Sequence, residues 1–402
     1  MEFDFVTPLD RQGKDALAVD TIPIPGGEIR PGFSRLPMWV ADMNFPTLPA
    51  IPEAIIRRAS HPAYGYFLPT DDYYSAIIRW HQKRNGVSGL ERRHIGYENG
   101  VLGGVLSALQ VACAPGDKVL LHSPTYIGFT KSLESYGFSI VHSPLKQDEA
   151  GVWRMDYADM EEKLKQHHIH AAVFCSPHNP CGRVWTREEL EQAMDLFRRY
   201  NVYVVSDEIW SDLTLGDHRH IPTQSVSDDA RQRTMALYAP SKTFNLAGLV
   251  GSYHIVYNDY LRERMERCAA RSHYNEMNVL SMHALIAAYS DAGGRWVNEL
   301  RQVLGENVDF AVDFIRTHFP GVTLAKPEGT YMLFLNCEDW CRQNGKTLDE
   351  LLRAGVAVGV IWQDGRPFHG PWSIRMNLAL PNPLVREAFD RLERYVFHPS
   401  AV

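Results

Sequence analysis

The sequence predicts an α/β fold: a large domain with a mostly parallel central sheet covered by helices, joined to a smaller α+β domain. Three observations predict it. Short apolar runs recur between residues 119 and 256 and read as buried strands. Stretches with helical periodicity alternate with them, the pattern of parallel sheets covered on both faces. After a break near 285–295 the order changes to a long helix followed by short strands and further helices.

Each element has its own signal. Pro and Gly cluster between Pro23 and Pro37, which marks an irregular N-terminal segment. Helical periodicity covers 51–60, 72–84 and 103–112. A strand follows at 119–121, then a helix over 129–136 and a strand over 138–142. Residues 171–174 form another buried strand. The helix over 186–200 opens on a capping box, with Thr186 and Glu189 three residues apart. Strands at 202–205, 234–238 and 251–256 complete the large domain. Beyond the break the sequence predicts a helix over 296–319, strands at 322–324 and 331–335, and a helix from Leu348. Strands at 356–361 and 372–376 and a helix from Pro383 end the chain. The division is therefore residues 1–45, an N-terminal segment packing with the small domain; 46–290, the large domain; and 291–402, the small domain.

Composition narrows the function. At 402 residues the chain has ample length for a large core, and a net charge of −7 argues against nucleic acid or an anionic membrane as main partner. No run of 18 apolar residues reads as a membrane span, and the acidic start Met1–Phe5 lacks a signal region. Six scattered cysteines fit a reduced, cytoplasmic setting better than a disulfide framework. His167, His168 and His170 precede a strand whose alternation splits their side chains, and Cys337 and Cys341 lack a second ligand pair, so no metal site is expected. Cys181 stands near a site loop and is a candidate reactive thiol, although nothing near it in the sequence argues for a depressed pKa.

The chemistry lies at strand ends. Lys242 follows the apolar run 234–238, and Asp207 ends the strand before it. A desolvated amine suits Schiff-base formation, and a carboxylate keeps a pyridine nitrogen protonated, so the pair points to pyridoxal 5′-phosphate (PLP). The stretch Asn99–Gly104 before a helix can receive a phosphate on free N–H groups, with Ser241 adding a hydroxyl. Tyr126, after the 119–121 strand, is a candidate for stacking on the ring. Asn179, in Pro177-His178-Asn179-Pro180, can donate to the ring oxygen. Arg375, in an otherwise apolar strand, needs a carboxylate, and a substrate carboxylate would serve. Trp39, Tyr66, Trp210, Trp362 and Phe368 are candidates for an aromatic substrate pocket.

Taken with Met38–Met43, Tyr64-Gly65-Tyr66, Pro115-Gly116-Asp117, Gly182–Trp185, Ser206–Ile209, Ala239–Leu249 and Pro327–Tyr331, these segments resemble fold-type I PLP-dependent transferases. They belong to the class I/II aminotransferase superfamily, and the MalY/PatB group of cystathionine β-lyase-like C–S lyases is nearest. The resemblance implies that Lys242 carries the cofactor and Asp207 pairs with its ring nitrogen. It assigns ring contacts to Tyr126 and Asn179, phosphate contacts to Val101, Leu102 and Ser241, and the substrate carboxylate to Arg375. It also implies a homodimer in which Tyr64 reaches the phosphate in the neighbouring subunit. Three positions depart from the common pattern. Ser176 stands where relatives usually have Asn, Trp210 where many have Tyr or His, and Val250 where many aminotransferases have a phosphate-binding Arg. The last is shared with the lyase group. The implied reaction is β-elimination from an S-substituted cysteine, with transamination as the alternative and a non-catalytic PLP-binding regulator as a third reading. Residues 1–45 are too short and too acidic for a DNA-binding domain.

Overall fold

The computed structural model describes residues 1–272 and 275–398. Its main sheet has seven strands: β1 Ile95–Asn99, β2 Lys118–Ser123, β3 Ser139–Pro144, β4 Ala171–Cys175, β5 Tyr203–Asp207, β6 Thr234–Tyr238 and β7 Gly251–Ile255. Their spatial order is β1-β7-β6-β5-β4-β2-β3, and β7 alone runs antiparallel to both neighbours. Alternating side chains serve two cores. Val119, Leu121, Val173, Val205 and Met235 pack beneath helix Gly100–Ala112, while Leu120, Ala172, Phe174 and Val204 pack with helix Arg187–Arg199 on the other face. Burial on both faces is why these strands read as unbroken apolar runs. The capping box forms as expected: Thr186 Oγ1 accepts from Glu189 N at 3.2 Å, and Glu189 Oε2 accepts from Thr186 N at 2.9 Å.

The remaining residues build a three-stranded antiparallel sheet, in the order β8-β10-β9: β8 Met332–Asn336, β9 Gln363–Asp364 and β10 Ser373–Asn377. Helix Asp291–His318 shares one hydrophobic core with this sheet and packs against helix Asn382–Leu392. The N-terminal segment joins this part through Leu36–Pro37, which pairs with Val360–Ile361. No helix of the described residues is long and apolar enough to cross a membrane.

Several elements differ from the sequence reading. Strand β1 was absent from it, because Glu98 and Gly96 interrupt the apolar pattern. Glu98 is buried against His254 (2.8 Å), and a Cβ at Gly96 would lie 2.2 Å from the His254 ring. Helices Asp259–Ser272 and Val279–Ala288 are likewise additional. The helix expected over 296–319 begins at Asp291, capped by Ser290 Oγ. Gly293 reads as a helix breaker, yet a Cβ there would meet Ala288 O at 1.8 Å, so glycine is what lets the two helices join so closely. The strand expected over 356–361 begins with the end of helix Leu348–Ala357 and a turn at 358–359. Gly359, at φ +84°, turns the chain so that only Val360–Ile361 is extended. Residues 322–324 make a single bridge, Thr323 to Asn336.

Candidate active site

All five parallel-strand exits that carry a candidate residue open on one edge of the sheet, where loops rather than neighbouring strands satisfy the backbone. Lys242 follows β6, Asp207 ends β5, Asn179 follows β4 and Tyr126 follows β2. Asn99 ends β1 at the same edge, because antiparallel β7 begins there, with Gly251 opposite Asn99. A cavity of about 220 Å³ at this edge is lined by Val101, Leu102, Tyr126, Asn179, Asp207, Ser241 and Lys242. A larger, open cleft of about 810 Å³ lies elsewhere, around Arg301, Arg316 and Lys326, and holds none of these residues.

The cavity's electrostatics are unbalanced. Asp207 is fully buried, and the hydrogen bond it accepts comes from Ile209 N to Oδ1 at 3.0 Å. Burial pushes its carboxyl up to about 7, opposed by that bond and by the charge of Lys242. Burial also brings the Lys242 amine down to about 8, helped by Arg375 and opposed by Asp42 and Asp207. Lys242 Nζ donates to Ala41 O at 2.9 Å and lies 6.0 Å from the centre of the buried Trp210 ring. Next to Asp207, Glu208 plays no such open role. Its carboxylate accepts from His220 Nε2 (2.7 Å), Tyr238 OH (2.6 Å), Ser206 OH (2.9 Å) and Thr223 N (3.0 Å), which hold its pKa low despite complete burial.

Arg375 lies beside the cavity. Its guanidinium is buried 4.4 Å above the Phe368 ring. It donates to Asn179 Oδ1 (3.2 Å), Trp39 O (3.1 Å) and Gln363 Oε1 (2.5 Å), and Nε has no partner among the described residues. None of these partners is a carboxylate, and burial lowers its pKa to about 10. Because arginine only donates, Asn179 must turn its oxygen to Arg375, which leaves its NH₂ for the cavity. The Tyr126 ring owes its place to Gly128, where a Cβ would lie 2.3 Å from the ring. At the opposite end Val101 and Leu102 are in the first turn of helix Gly100–Ala112, where backbone N–H groups have no partner within the helix. Val250, half exposed at φ +60°, lines this end, and among the described residues no cation other than Lys242 lines the cavity.

These residues fit PLP: a buried carboxylate short of a cation, a buried amine poised to lose its proton, an aromatic wall, and a helix start for an anion. A model of the aminotransferase class I and II family matches residues 39–392. The chain belongs to the class I and II aminotransferase family. Members of this family use PLP. Cystathionine beta-lyase PatB of Bacillus subtilis is 35% identical over 83% of this chain and 85% of its own. Protein MalY of Escherichia coli is 30% identical over 94% and 95%. A solved PLP-bound C–S lyase from Staphylococcus hominis superposes with a TM-score of 0.88 at 26% identity, covering 99% of this chain and 100% of that one. The chain thus falls in the MalY/PatB-like subgroup of the family and has the fold-type I architecture.

Other candidates lie apart from the cavity. Tyr64 is exposed, and its hydroxyl donates to Ala59 O at 2.6 Å. Tyr66 is wholly exposed, and Trp362 is buried in the small domain with Nε1 donating to Leu352 O at 3.0 Å, so neither lines an aromatic pocket in this chain. Trp39 Nε1 is engaged with Ala18 O at 2.9 Å. Cys181 is buried and its thiol pKa is pushed up, which corrects the expectation of a reactive thiol. All six cysteines are unbridged. The sequence reading missed Ala41, Asn245, Gln363 and Asn377. Of these, Asn245 and Asn377 stand within three residues of Lys242 and Arg375, a proximity that marks them.

Proposed function

We propose that this chain is a PLP-dependent C–S lyase that eliminates a thiol from cystathionine or another S-substituted L-cysteine, giving pyruvate and ammonia. The observation that carries the reading is a single site holding a carboxylate without a cation, a guanidinium without an anion, and between them an amine with its pKa near 8. When bound, PLP supplies the electron sink that lets a Cα–H bond ionise. The chain's residues do the rest. Arg375 receives the substrate carboxylate in a bidentate fork, with Phe368 fixing the plane of the guanidinium. Asn179 presents its NH₂ to the ring oxygen, and Asp207 holds a proton on the ring nitrogen. Lys242 Nζ would hold the cofactor's aldehyde carbon and, when free, would be the base that takes the Cα proton. Tyr126 covers the ring, and Val101, Leu102 and Ser241 hold the phosphate.

Transamination shares this machinery up to proton removal. The names of the PatB and C–S lyase relatives favour elimination. Val250, where many aminotransferases have arginine, agrees with them. The test is incubation with cystathionine. Pyruvate and thiol released without an added 2-oxo acid support elimination, and turnover only with an oxo-acid acceptor refutes it. Lys242→Ala abolishes multiple turnover in either case.

We also infer a homodimer, soluble in a reducing cytoplasm, in which Tyr64 serves the phosphate site of its partner. Its support is the outward-facing group Ile56, Tyr64, Tyr66 and Leu68, together with the absence of Tyr64 from this chain's own cavity. We further propose residues 45 and 290 as the boundaries of the large domain. Sedimentation establishes the dimer, and Tyr64→Phe weakens PLP retention if the hydroxyl crosses the interface.

A further inference from the structure

Beside the cavity, and with Ala41 in its lining, residues 39–44 form a backbone strap. Its carbonyls serve both key cations: Ala41 O accepts from Lys242 Nζ at 2.9 Å, and Trp39 O accepts from Arg375 Nη2 at 3.1 Å. Three side chains hold the strap. Asn245 accepts from Met43 N at 3.0 Å and donates to Met43 O at 2.9 Å. Asn377 Nδ2 donates to Val40 O and to Asp42 O, each at 2.6 Å. Arg11 pairs with the Asp42 carboxylate at 2.6 Å and also reaches Met43 O at 3.1 Å and Asn44 Oδ1 at 2.9 Å. Asn245 does this from a left-handed backbone, φ +58°, which asparagine tolerates better than most residues.

A carbonyl only accepts, and it binds an ammonium more strongly than a neutral amine. The other groups facing Lys242 are Arg375, which disfavours its charge, Asp42 and Asp207, which favour it, and the Trp210 ring. The carbonyl of Ala41 is thus the fixed hydrogen-bond acceptor on the amine.

We propose that Asn245 is a positioning residue: by fixing the Ala41 carbonyl it retains the Lys242 ammonium beside the substrate after proton abstraction, and so directs the reaction to elimination over transamination. The inference rests on the lyase reading above. In both courses Nζ takes the Cα proton. In elimination the Cβ–S bond breaks, its electron pair leaves on sulfur, and the proton on Nζ is at hand for the departing thiolate. The remaining three-carbon enamine takes up water to give pyruvate and ammonia. In transamination the proton on Nζ is instead delivered to the cofactor's aldehyde carbon. Water then releases a 2-oxo acid and leaves the cofactor as its amine. Only the second course requires Nζ to swing from one carbon to another, and a pinned acceptor 2.9 Å away opposes that swing.

Asn245→Gly keeps the left-handed backbone and removes both side-chain bonds to the strap. The first readout needs no cofactor. Acetic anhydride labelling of Lys242 in the apo-protein across pH, quantified by peptide mass spectrometry, gives the titration midpoint, which falls by about one pH unit in the variant. The second uses the PLP-loaded enzyme with an S-alkyl-L-cysteine and no oxo acid. The ratio of cofactor converted to its amine form, read by absorbance, to pyruvate formed rises about tenfold. Asn377→Ala releases the strap from its other side and shows the same two changes, so the test stands if Asn245→Gly fails to fold. A midpoint unchanged in the folded variants, or a falling midpoint with the product ratio unchanged, overturns the proposal. A wild-type enzyme that releases no thiol overturns the lyase reading instead, and the apo-protein midpoint distinguishes that failure from failure of the strap.

Discussion

Gln363→Glu places a carboxylate where Arg375 has a neutral acceptor. The two residues face each other across β9 and β10, with Oε1 at 2.5 Å from Nη2. The glutamate therefore meets the guanidinium without rearrangement. A hydrogen bond from a charged group to a neutral partner is worth about 1.5–3 kcal/mol, while breaking a buried ion pair costs about 3–5 kcal/mol. The apo-protein gains the difference, about 1–2 kcal/mol before the desolvation of the new carboxylate is subtracted. Substrate suffers the opposite effect, since its carboxylate now approaches a guanidinium already neutralised. Losing about 2–3 kcal/mol of that contact raises KM about 30- to 150-fold. The rate constant kcat changes little, because the contact forms with bound substrate and does not strengthen at the transition state. Thiol release measured against substrate concentration gives both parameters, and calorimetry of the apo-protein gives the stability change. The reasoning is refuted if KM stays within about threefold of wild type, or if kcat falls as much as kcat/KM.

Gly128→Ala puts a methyl group 2.3 Å from the Tyr126 ring, so the ring must move. Overpacking of this kind costs about 1–3 kcal/mol, and the variant binds PLP about tenfold or more weakly by equilibrium dialysis. Asp207 gives a pH signature in the apo-protein. Its folded pKa, about 7, lies above the ordinary 3.8, so its contribution to stability is complete below pH 3.8 and is lost as pH rises through 7. The melting temperature of wild type therefore falls relative to Asp207→Asn between pH 4 and pH 7, and a constant difference contradicts the assignment. Lys242 acts in the opposite sense: with its pKa lowered to about 8, its contribution grows from pH 8 towards pH 10.5 and is absent from Lys242→Met.

The sheet and the side-chain half of the site were legible in the sequence for one reason. Strands buried on both faces are apolar throughout, and the polar residues that follow them stand out. Lys242 after β6, Asp207 at the end of β5 and Asn179 after β4 are read this way. β1 escaped because Glu98 satisfies its buried charge with His254, a residue 156 positions away, and no local pattern carries that pairing. Gln363 escaped similarly, since its role exists only through the register that sets it against Arg375. Trp362 and Tyr66 were assigned to a pocket on aromatic character alone, which does not specify which face of an element is buried. Ala41 left no trace because its part is played by a carbonyl that every residue possesses.

The strap has a consequence for biosynthesis. Ala41 meets Lys242, Trp39 meets Arg375, and Asn377 closes the set through Val40 and Asp42, so the contacts that complete the cavity span almost the whole polypeptide. A nascent chain on the ribosome has the lysine, Arg11, Asn245 and the sheet edge long before β10 emerges, yet it lacks Arg375 and Asn377, which bind the strap from β10. Tight capture of the vitamin is therefore a late event, reached after most of the large domain has folded.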